Sequence, residues 1–403
     1  MKPRGARWNL LFVLLLGAVA AEAPGRAARW PAAPAWKAPA ALSGPEFSRL
    51  IRELSEPGGY FRSDNFTSNE SSYLTVVEKL RQLGVSGGAY IGVGPEQNFT
   101  YIAKIRPTIA FIIDIRRQAV IQHLLYKAIF HGAPTRAQFL SDLLSRPITD
   151  EKMRRTGSTA ELIKYFAAAS APDEVFARNL ARVRKTIEKD FQFTLDEPDQ
   201  TRLEYVYRAF RQAGLTISYR FGYSNYGFYP PQYRSFPPTF GGGFGGFPTF
   251  GDLVLQTDPY GRLGNFLASD EDYAFVRRLH ELNRIIPVVG DFAGPKALSS
   301  IGAYLTQNGY TVRAFYTSNV EQFLFQNGVY DAFVANVRRL PIDSTSVFIR
   351  AVARMRQIHP AYRPGQRTTT LLEKMSVFLR DENTAPYHDY WEMVTTHFIA
   401  GTP

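Results

Sequence analysis

The sequence has no cysteine among its 403 residues. Disulfide bonds, thiolate metal sites and cysteine nucleophiles are therefore excluded. The absence is neutral about compartment, because an exported protein can fold without disulfides. Histidine is also scarce: the six histidines show no paired spacing such as HExxH, so the sequence predicts no metal site.

Dense clusters of charge of one sign are lacking as well. The formal charge is +11, and +8 remains when residues 1–20 with Lys2, Arg4 and Arg7 are removed. Because the remaining basic residues are dispersed, we interpret the excess as a solvated surface and find no specific nucleic-acid signal. The 45% hydrophobic content is ample for a globular core.

The first 21 residues predict a signal peptide or an N-terminal anchor. A basic start precedes an apolar stretch at residues 10–19 and a small-residue exit at Ala18-Val19-Ala20-Ala21. The apolar stretch is short for a membrane span, so membrane contact is expected only through this leader. The expected location is periplasmic or otherwise exported; the alternative is a cytoplasmic protein whose start codon is placed too early. Residues 22–45 are rich in Ala and Pro and predict a linker.

Residues 46–403 predict a single α/β domain. Helical patterns alternate with short apolar runs, which is typical of a mostly parallel, Rossmann-like sheet covered by helices on both faces. A helical insertion is expected at about 132–212, and a flexible loop rich in Gly, Pro and aromatic residues at 222–251. The predicted strands cover residues 89–91, 109–113, 215–221, 285–289, 311–316 and 346–351, and the predicted helices include 73–83, 370–379 and 390–398.

Polar residues gather at the ends of four predicted strands. A turn with Gly92 and Gly94 follows the first strand and opens a helix, whose free N–H groups favour an anion. Asp114 ends the second strand, 22 positions after Gly92, where an acid can accept hydrogen bonds from ribose hydroxyls. Gly290-Asp291 and Ser318-Asn319 end two later strands. Since open α/β sheets bind ligands at the carboxyl ends of their strands, the sequence predicts a pocket for a small nucleoside.

Residues 88–117 resemble the first βαβ unit of class I S-adenosylmethionine-dependent methyltransferases. In that family a Gly-x-Gly turn follows strand one, and an acid at the end of strand two binds the ribose. The resemblance implies that Gly92 and Gly94 contact the methionine moiety, that Asp114 binds the ribose hydroxyls, and that Gly290-Asp291 lies near the transferred methyl group. Tyr90 stands where these enzymes usually carry an acid. Gln97 stands where a dinucleotide fingerprint has its third Gly, which argues against NAD.

A second resemblance covers more of the chain. The segments GVGPEQNFTYIA, FIIDIRR, PVVGDFAGPKAL and FYTSNVEQFLF are similar to those of a group of uncharacterised bacterial proteins. This similarity extends from about residue 47 to residue 351, and it implies no activity.

The function expected from these patterns is binding of S-adenosylmethionine, with transfer of its methyl group to an unknown acceptor. The alternative is an exported, non-catalytic binding protein that uses the same fold for another polar ligand. The methyl acceptor and the oligomeric state are not predicted. The expected cofactor-binding residues are Gly92, Gly94, Glu96, Asn98, Asp114, Asp291, Ser318 and Asn319, and the candidate general bases are Asp291, Glu321 and Glu96.

Overall fold

The computed structural model describes residues 38–220, 247–353 and 357–402. The predicted leader at 1–21, most of the predicted linker at 22–45 and most of the predicted loop at 222–251 lie outside these residues. None of the helices within the described ranges has the length and apolar character that crossing a bilayer requires.

A seven-stranded sheet runs through the described part of the chain. In the order β3-β2-β1-β4-β5-β6-β7, the first five strands are parallel to their neighbours. The last two strands break this pattern, because β6 is antiparallel to β5 and β7 is antiparallel to β6. The strands are β1 (Ala89–Val93), β2 (Ile109–Asp114), β3 (Ile285–Val289), β4 (Val312–Ser318), β5 (Val347–Ala353), β6 (Thr368–Lys374) and β7 (Ile399–Ala400).

The α/β prediction is therefore right at the coarse level, since helices flank this sheet, but the sheet is mixed where a mostly parallel Rossmann-like one is predicted. The parallel strands were predictable from the sequence because they are buried on both faces. Every residue of β2 and of β3 is buried, which requires continuous apolar runs. Pro287 fits because β3 lies at an edge of the sheet, where a missing N–H is tolerated.

Helices occupy most of the remaining described chain. Several begin with a side-chain cap: Ser43 and Ser158 form capping boxes with the Glu three residues later. The stretch 132–212, predicted as a helical insertion, contains α5 to α9 and a π-helical turn at Thr186–Asp190. The α-helices are α1 (Gly44–Leu54), α2 (Val77–Gln82), α3 (Gln97–Ile105), α4 (Arg117–Gly132), α5 (Arg136–Leu144), α6 (Glu151–Thr156), α7 (Thr159–Ala168), α8 (Asp173–Lys185), α9 (Glu197–Ala213), α10 (Phe250–Val254), α11 (Asp270–Glu281), α12 (Ala297–Gln307), α13 (Val320–Gln326), α14 (Tyr330–Val337), α15 (Met375–Thr384) and α16 (Tyr390–Thr395).

Four element predictions are wrong in extent or type. Residues 370–374, predicted as helix, belong to β6, and the helix starts only at Met375. The predicted strand at 215–221 begins instead as a 3₁₀ turn, Gly214–Thr216, followed by an isolated bridge between Ser218 and Thr249. The helix predicted at 73–83 is regular only as α2, and the one predicted at 390–398 ends at Thr395 before β7.

The position of β1 determines where a ligand can bind. It lies between β2, which follows it directly in the chain, and β4, which comes some 200 residues later. The chain thus runs from β1 through β2 and β3 on one side and then returns to β4 on the other side of β1. A crevice opens outside the carboxyl ends of the strands at such a reversal of strand order.

Candidate functional site

A cavity lies outside the carboxyl ends of β1, β2, β3 and β4, and we call it the strand-end cavity. It encloses about 1000 Å³, counting the open solvent at its mouth. Segments before β1, after the 3₁₀ turn and in α13 complete its wall. The strand ends contribute Val93, Gly94, Pro95, Ile113, Asp114, Ile115, Arg116, Gly290, Asp291, Phe292, Tyr316, Ser318 and Asn319, and the other segments contribute Tyr60, Phe61, Asn65, Ser68, Asn69, Glu70, Tyr219, Val320, Phe323, Leu324 and Asn327.

The two glycines of the turn after β1 differ in role. Gly94 has a left-handed φ of 81°, and a Cβ added there would meet no atom within 4 Å, so its backbone is open to the cavity. Gly92 does not line the cavity. An added Cβ at Gly92 would lie 2.0 Å from Oδ1 of Asn98, so glycine is required there by packing.

Asn98 holds the turn together from inside. Its Nδ2 donates to the carbonyl oxygens of Val93, Gly94 and Pro95 at 2.9, 3.1 and 2.8 Å, and its Oδ1 accepts from the Tyr90 hydroxyl at 2.8 Å. The side chain is fully buried and does not line the cavity. Asn98 therefore positions the backbone around Gly94 and is not placed to contact a ligand.

Asp114 lines the cavity, but Arg116 already engages its carboxylate. The guanidinium donates to Oδ1 at 3.0 Å and to Oδ2 at 2.7 Å, and the backbone N–H of Arg116 also donates to Oδ1. A carboxylate offers about four acceptor positions. Oδ2 thus keeps capacity for a further donor, while the charge of Asp114 is neutralised within the protein.

Asp291, Ser318 and Asn319 also lie in the wall of the cavity. Asp291 follows β3, and its Oδ1 accepts from the N–H of Ala293 at 2.9 Å, which fixes the turn. Ser318 ends β4 with a left-handed φ of 56°, a conformation that costs a non-glycine residue about 1 kcal/mol or more. The cavity thus brings together five of the predicted ligand-binding residues: Gly94, Asp114, Asp291, Ser318 and Asn319.

A family model described as a domain of unknown function, DUF7790, matches residues 65–218 and 250–396, which together exceed half of the chain. The chain belongs to this family. No curated protein matches the chain. The DUF7790 match includes all the residues predicted for the site, but a family described in this way carries no activity with it.

Besides Gly92 and Asn98, two further predicted residues of the DUF7790 domain do not line the strand-end cavity. Glu96 is buried behind the turn, where its Oε1 accepts from the N–H of Ser68 at 3.4 Å, and burial raises its pKa to about 8. Glu321 is fully buried in an ion pair with Arg350 at 3.0 Å, and Arg350 also pairs with Glu373. This geometry favours structural roles for both acids.

Sequence patterns did not indicate His123, which supports the turn from α4. Its Nε2 lies 2.9 Å from the carbonyl oxygen of Gly94. Burial lowers the pKa of His123 to about 4, so the ring is neutral at physiological pH and donates from Nε2 to that carbonyl. Only its position, nearly two helical turns into α4, hinted that it would reach the same strand end.

Glu70 is the other residue that the sequence did not single out. It lies in the irregular segment before α2, is 2% exposed and lines the cavity. Burial raises its pKa, although hydrogen bonds from Ser318, Gln97 and Tyr316 act in the opposite direction. Its partners are up to 248 residues away in the chain, so no local pattern could identify it.

A second opening adjoins the cavity and shares Tyr60, Phe61 and Arg116 with it. Arg117 and Arg202 also line this opening, and both pair with Asp199.

No group of His, Asp or Glu suited to a metal ion occurs in the described part of the chain.

Proposed function

We propose that the protein binds S-adenosylmethionine or a related nucleoside in the strand-end cavity and transfers a methyl group to an acceptor. The observation that carries this proposal is the position of the cavity at the carboxyl ends of β1 and β4, where the strand order reverses. Ligands of open α/β sheets bind at such a position.

The wall of the cavity has the mixed character that a nucleoside needs. Tyr60, Phe61 and Phe323 supply apolar surface for a base, and the rings of Phe61 and Phe323 meet edge to face at 5.4 Å. Gly94 exposes backbone without a side chain, and Asp114 retains an acceptor position on Oδ2. These features support a role for Asp114 in holding ribose hydroxyls.

Methyl transfer makes few demands on the protein beyond position. The acceptor atom must approach the methyl group in line with its leaving sulfur, and enzymes achieve much of their acceleration of such reactions by orienting the reactants. Asp291 lies in the cavity wall and no described basic side chain pairs with it, so it is the candidate for removing a proton from the acceptor.

Isothermal titration calorimetry with S-adenosylmethionine and S-adenosylhomocysteine tests the proposal. We expect saturable binding to the wild-type chain, and about tenfold or greater weakening in Asp114→Asn, because a hydrogen bond to a charged group is lost. Asp114→Ala is a poorer variant, since it removes every side-chain acceptor as well as the counter-ion from the buried Arg116 and risks unfolding.

Asp272→Asn is the matched control. Asp272 is as buried as Asp114 and pairs with Lys104 at 2.7 Å, but it lies on α11 outside the cavity wall. This variant should bind the nucleosides like wild type. Absence of heat and of thermal stabilisation at millimolar nucleoside would refute the proposal. Binding without formation of S-adenosylhomocysteine in the presence of cell extract would favour a non-catalytic binding protein.

A further inference from the structure

Glu70 presents a carboxylate to the strand-end cavity without a basic partner. Its side chain is buried, and no ion pair involving it occurs among the described residues. The other acid with a buried carboxylate in this wall, Asp114, is neutralised by Arg116. In its ionised form, Glu70 therefore brings a negative charge to the cavity that no basic side chain of the described wall cancels.

The neighbours of Glu70 are arranged as donors. The Tyr316 hydroxyl donates to Oε1 at 2.7 Å, the Ser318 hydroxyl donates to the same oxygen, and the Gln97 amide donates to Oε2 at 3.0 Å. The amide nitrogen of Gln97 is a donor only, and the amide oxygen of the same side chain accepts from the Ser68 hydroxyl. Three donors converging on one carboxyl group favour its ionised form.

The left-handed backbone of Ser318 fits this arrangement. Ser318 keeps an unfavourable φ of 56° at the end of β4 while its hydroxyl reaches Glu70. Backbone strain of this kind persists where the surroundings hold it in place, and it concentrates at ligand-binding sites.

A buried carboxylate that has donors but no counter-ion is poorly stabilised. Burial raises the pKa of Glu70, and neutral hydrogen bonds compensate only in part. A cation in the cavity would supply the missing charge, and Oε2, with a single donor, retains an acceptor position for it. The described wall contains no lysine or histidine, and its arginine is Arg116, already paired with Asp114.

We propose that Glu70 is the binding site for a primary ammonium group carried by the ligand of the strand-end cavity. The inference rests on the proposed function in that both place a small molecule in this cavity, but it does not require that molecule to be a nucleoside. It adds a chemical requirement: the ligand is cationic at the end that lies near β4 and the segment preceding α2.

Ethanolamine and ethylene glycol are matched probes for this site, because they differ only in an ammonium group that replaces a hydroxyl. Thermal unfolding of the full chain is measured with each probe at neutral pH and equal ionic strength. We expect ethanolamine to raise the unfolding temperature of the wild type in a saturable way and ethylene glycol to have no such effect. The Glu70→Gln variant should bind ethanolamine about tenfold or more weakly.

Glu382→Gln is the control variant, since Glu382 is also a buried acid that accepts a hydrogen bond from a tyrosine hydroxyl, but it lies on α15 outside the wall of the cavity. It should keep the response to ethanolamine. Circular dichroism of both variants establishes that they are folded before binding is compared. Equal responses to the two probes, no response of the wild type to ethanolamine, or an undiminished response of Glu70→Gln would each overturn the inference.

The nucleoside arm separates this inference from the proposed function. S-adenosylhomocysteine is compared with its analogue lacking the amino group, on wild type and on Glu70→Gln. If both nucleosides bind, and the ratio of their affinities is the same for wild type and for Glu70→Gln, the nucleoside proposal stands and the role of Glu70 fails. If neither binds but ethanolamine distinguishes wild type from Glu70→Gln, the role of Glu70 stands and the nucleoside proposal fails.

Discussion

Substituting Gly92 by alanine tests the account of the turn after β1. An ideal Cβ at position 92 would lie 2.0 Å from Oδ1 of Asn98 and 2.7 and 2.8 Å from Cε1 and the hydroxyl oxygen of Tyr90. Contacts this short do not occur in folded proteins, and interiors have little free space to absorb them. The amide of Asn98 must therefore move away from the carbonyl oxygens that it holds.

The cost follows from the hydrogen bonds that are lost. The two amide hydrogens of Asn98 serve three carbonyl oxygens, and its Oδ1 accepts from Tyr90. This amounts to about three buried bonds at roughly 1 kcal/mol each. We therefore expect Gly92→Ala to lower the free energy of unfolding by about 3 kcal/mol.

Urea unfolding of four proteins measures this effect: wild type, Gly92→Ala, Asn98→Ala and the double variant. If the clash with Asn98 is the cause, Gly92→Ala costs at least about 1.5 kcal/mol less in the Asn98→Ala background. Gly94→Ala is the control on the same turn, since its Cβ meets nothing and only the left-handed φ costs energy, about 1 to 2 kcal/mol. An equal cost of Gly92→Ala in both backgrounds would refute the reasoning.

Three further predictions concern buried charged groups. Because burial raises the pKa of Glu96 to about 8, its contribution to stability is complete below its ordinary pKa of 4.5 and is lost as the pH rises through 8. Glu96→Gln should therefore reduce the change of the urea unfolding midpoint with pH between these values, and a pH dependence equal to that of the wild type would contradict the prediction. Because burial lowers the pKa of Lys127 from 10.5 to about 7, the contribution of Lys127 to stability is complete above pH 10.5 and is lost as the pH falls through 7. Lys127→Met should therefore gain stability relative to wild type as the pH falls through that window, and a gain that is independent of pH would exclude titration of Lys127 as the cause. Arg350→Met should lower the free energy of unfolding by about 3 to 5 kcal/mol, because it leaves Glu321 and Glu373 buried without a cation, and replacing both glutamates by Gln in this variant should restore much of the loss. A cost of Arg350→Met below about 1 kcal/mol would show that the three side chains are not coupled.

Strands buried on both faces were predictable from the sequence. The run that forms β2 is apolar up to Asp114, the run that forms β3 is apolar throughout, and parallel strands place their carboxyl ends at one edge. Asp114 and Asp291 could therefore be expected to lie together, as they do. The sequence was a poor guide to β6, because its threonines and leucines at 368–374 precede a helix directly and its pairing with β5 is antiparallel and non-local.

The direction of each side chain at the site was not predictable. Gly92, Asn98 and Glu96 were correctly assigned to the region of the turn after β1, but a strand or helix pattern does not say which residues face the cavity and which face the core behind it. Glu70 and His123 reach the site from segments that are separate in the chain, through hydrogen bonds to Tyr316 and Gly94. Such contacts depend on the assembled fold and leave no local signature.

The way in which Asn98 fills the space beneath the turn also limits how the family can diverge. Glycine at 92, asparagine at 98 and tyrosine at 90 fit one another so closely that no single one is exchangeable while the others stay. Related chains are therefore expected to inherit the three positions as a set, and a relative with a different residue at 98 should also differ at 92 or 90.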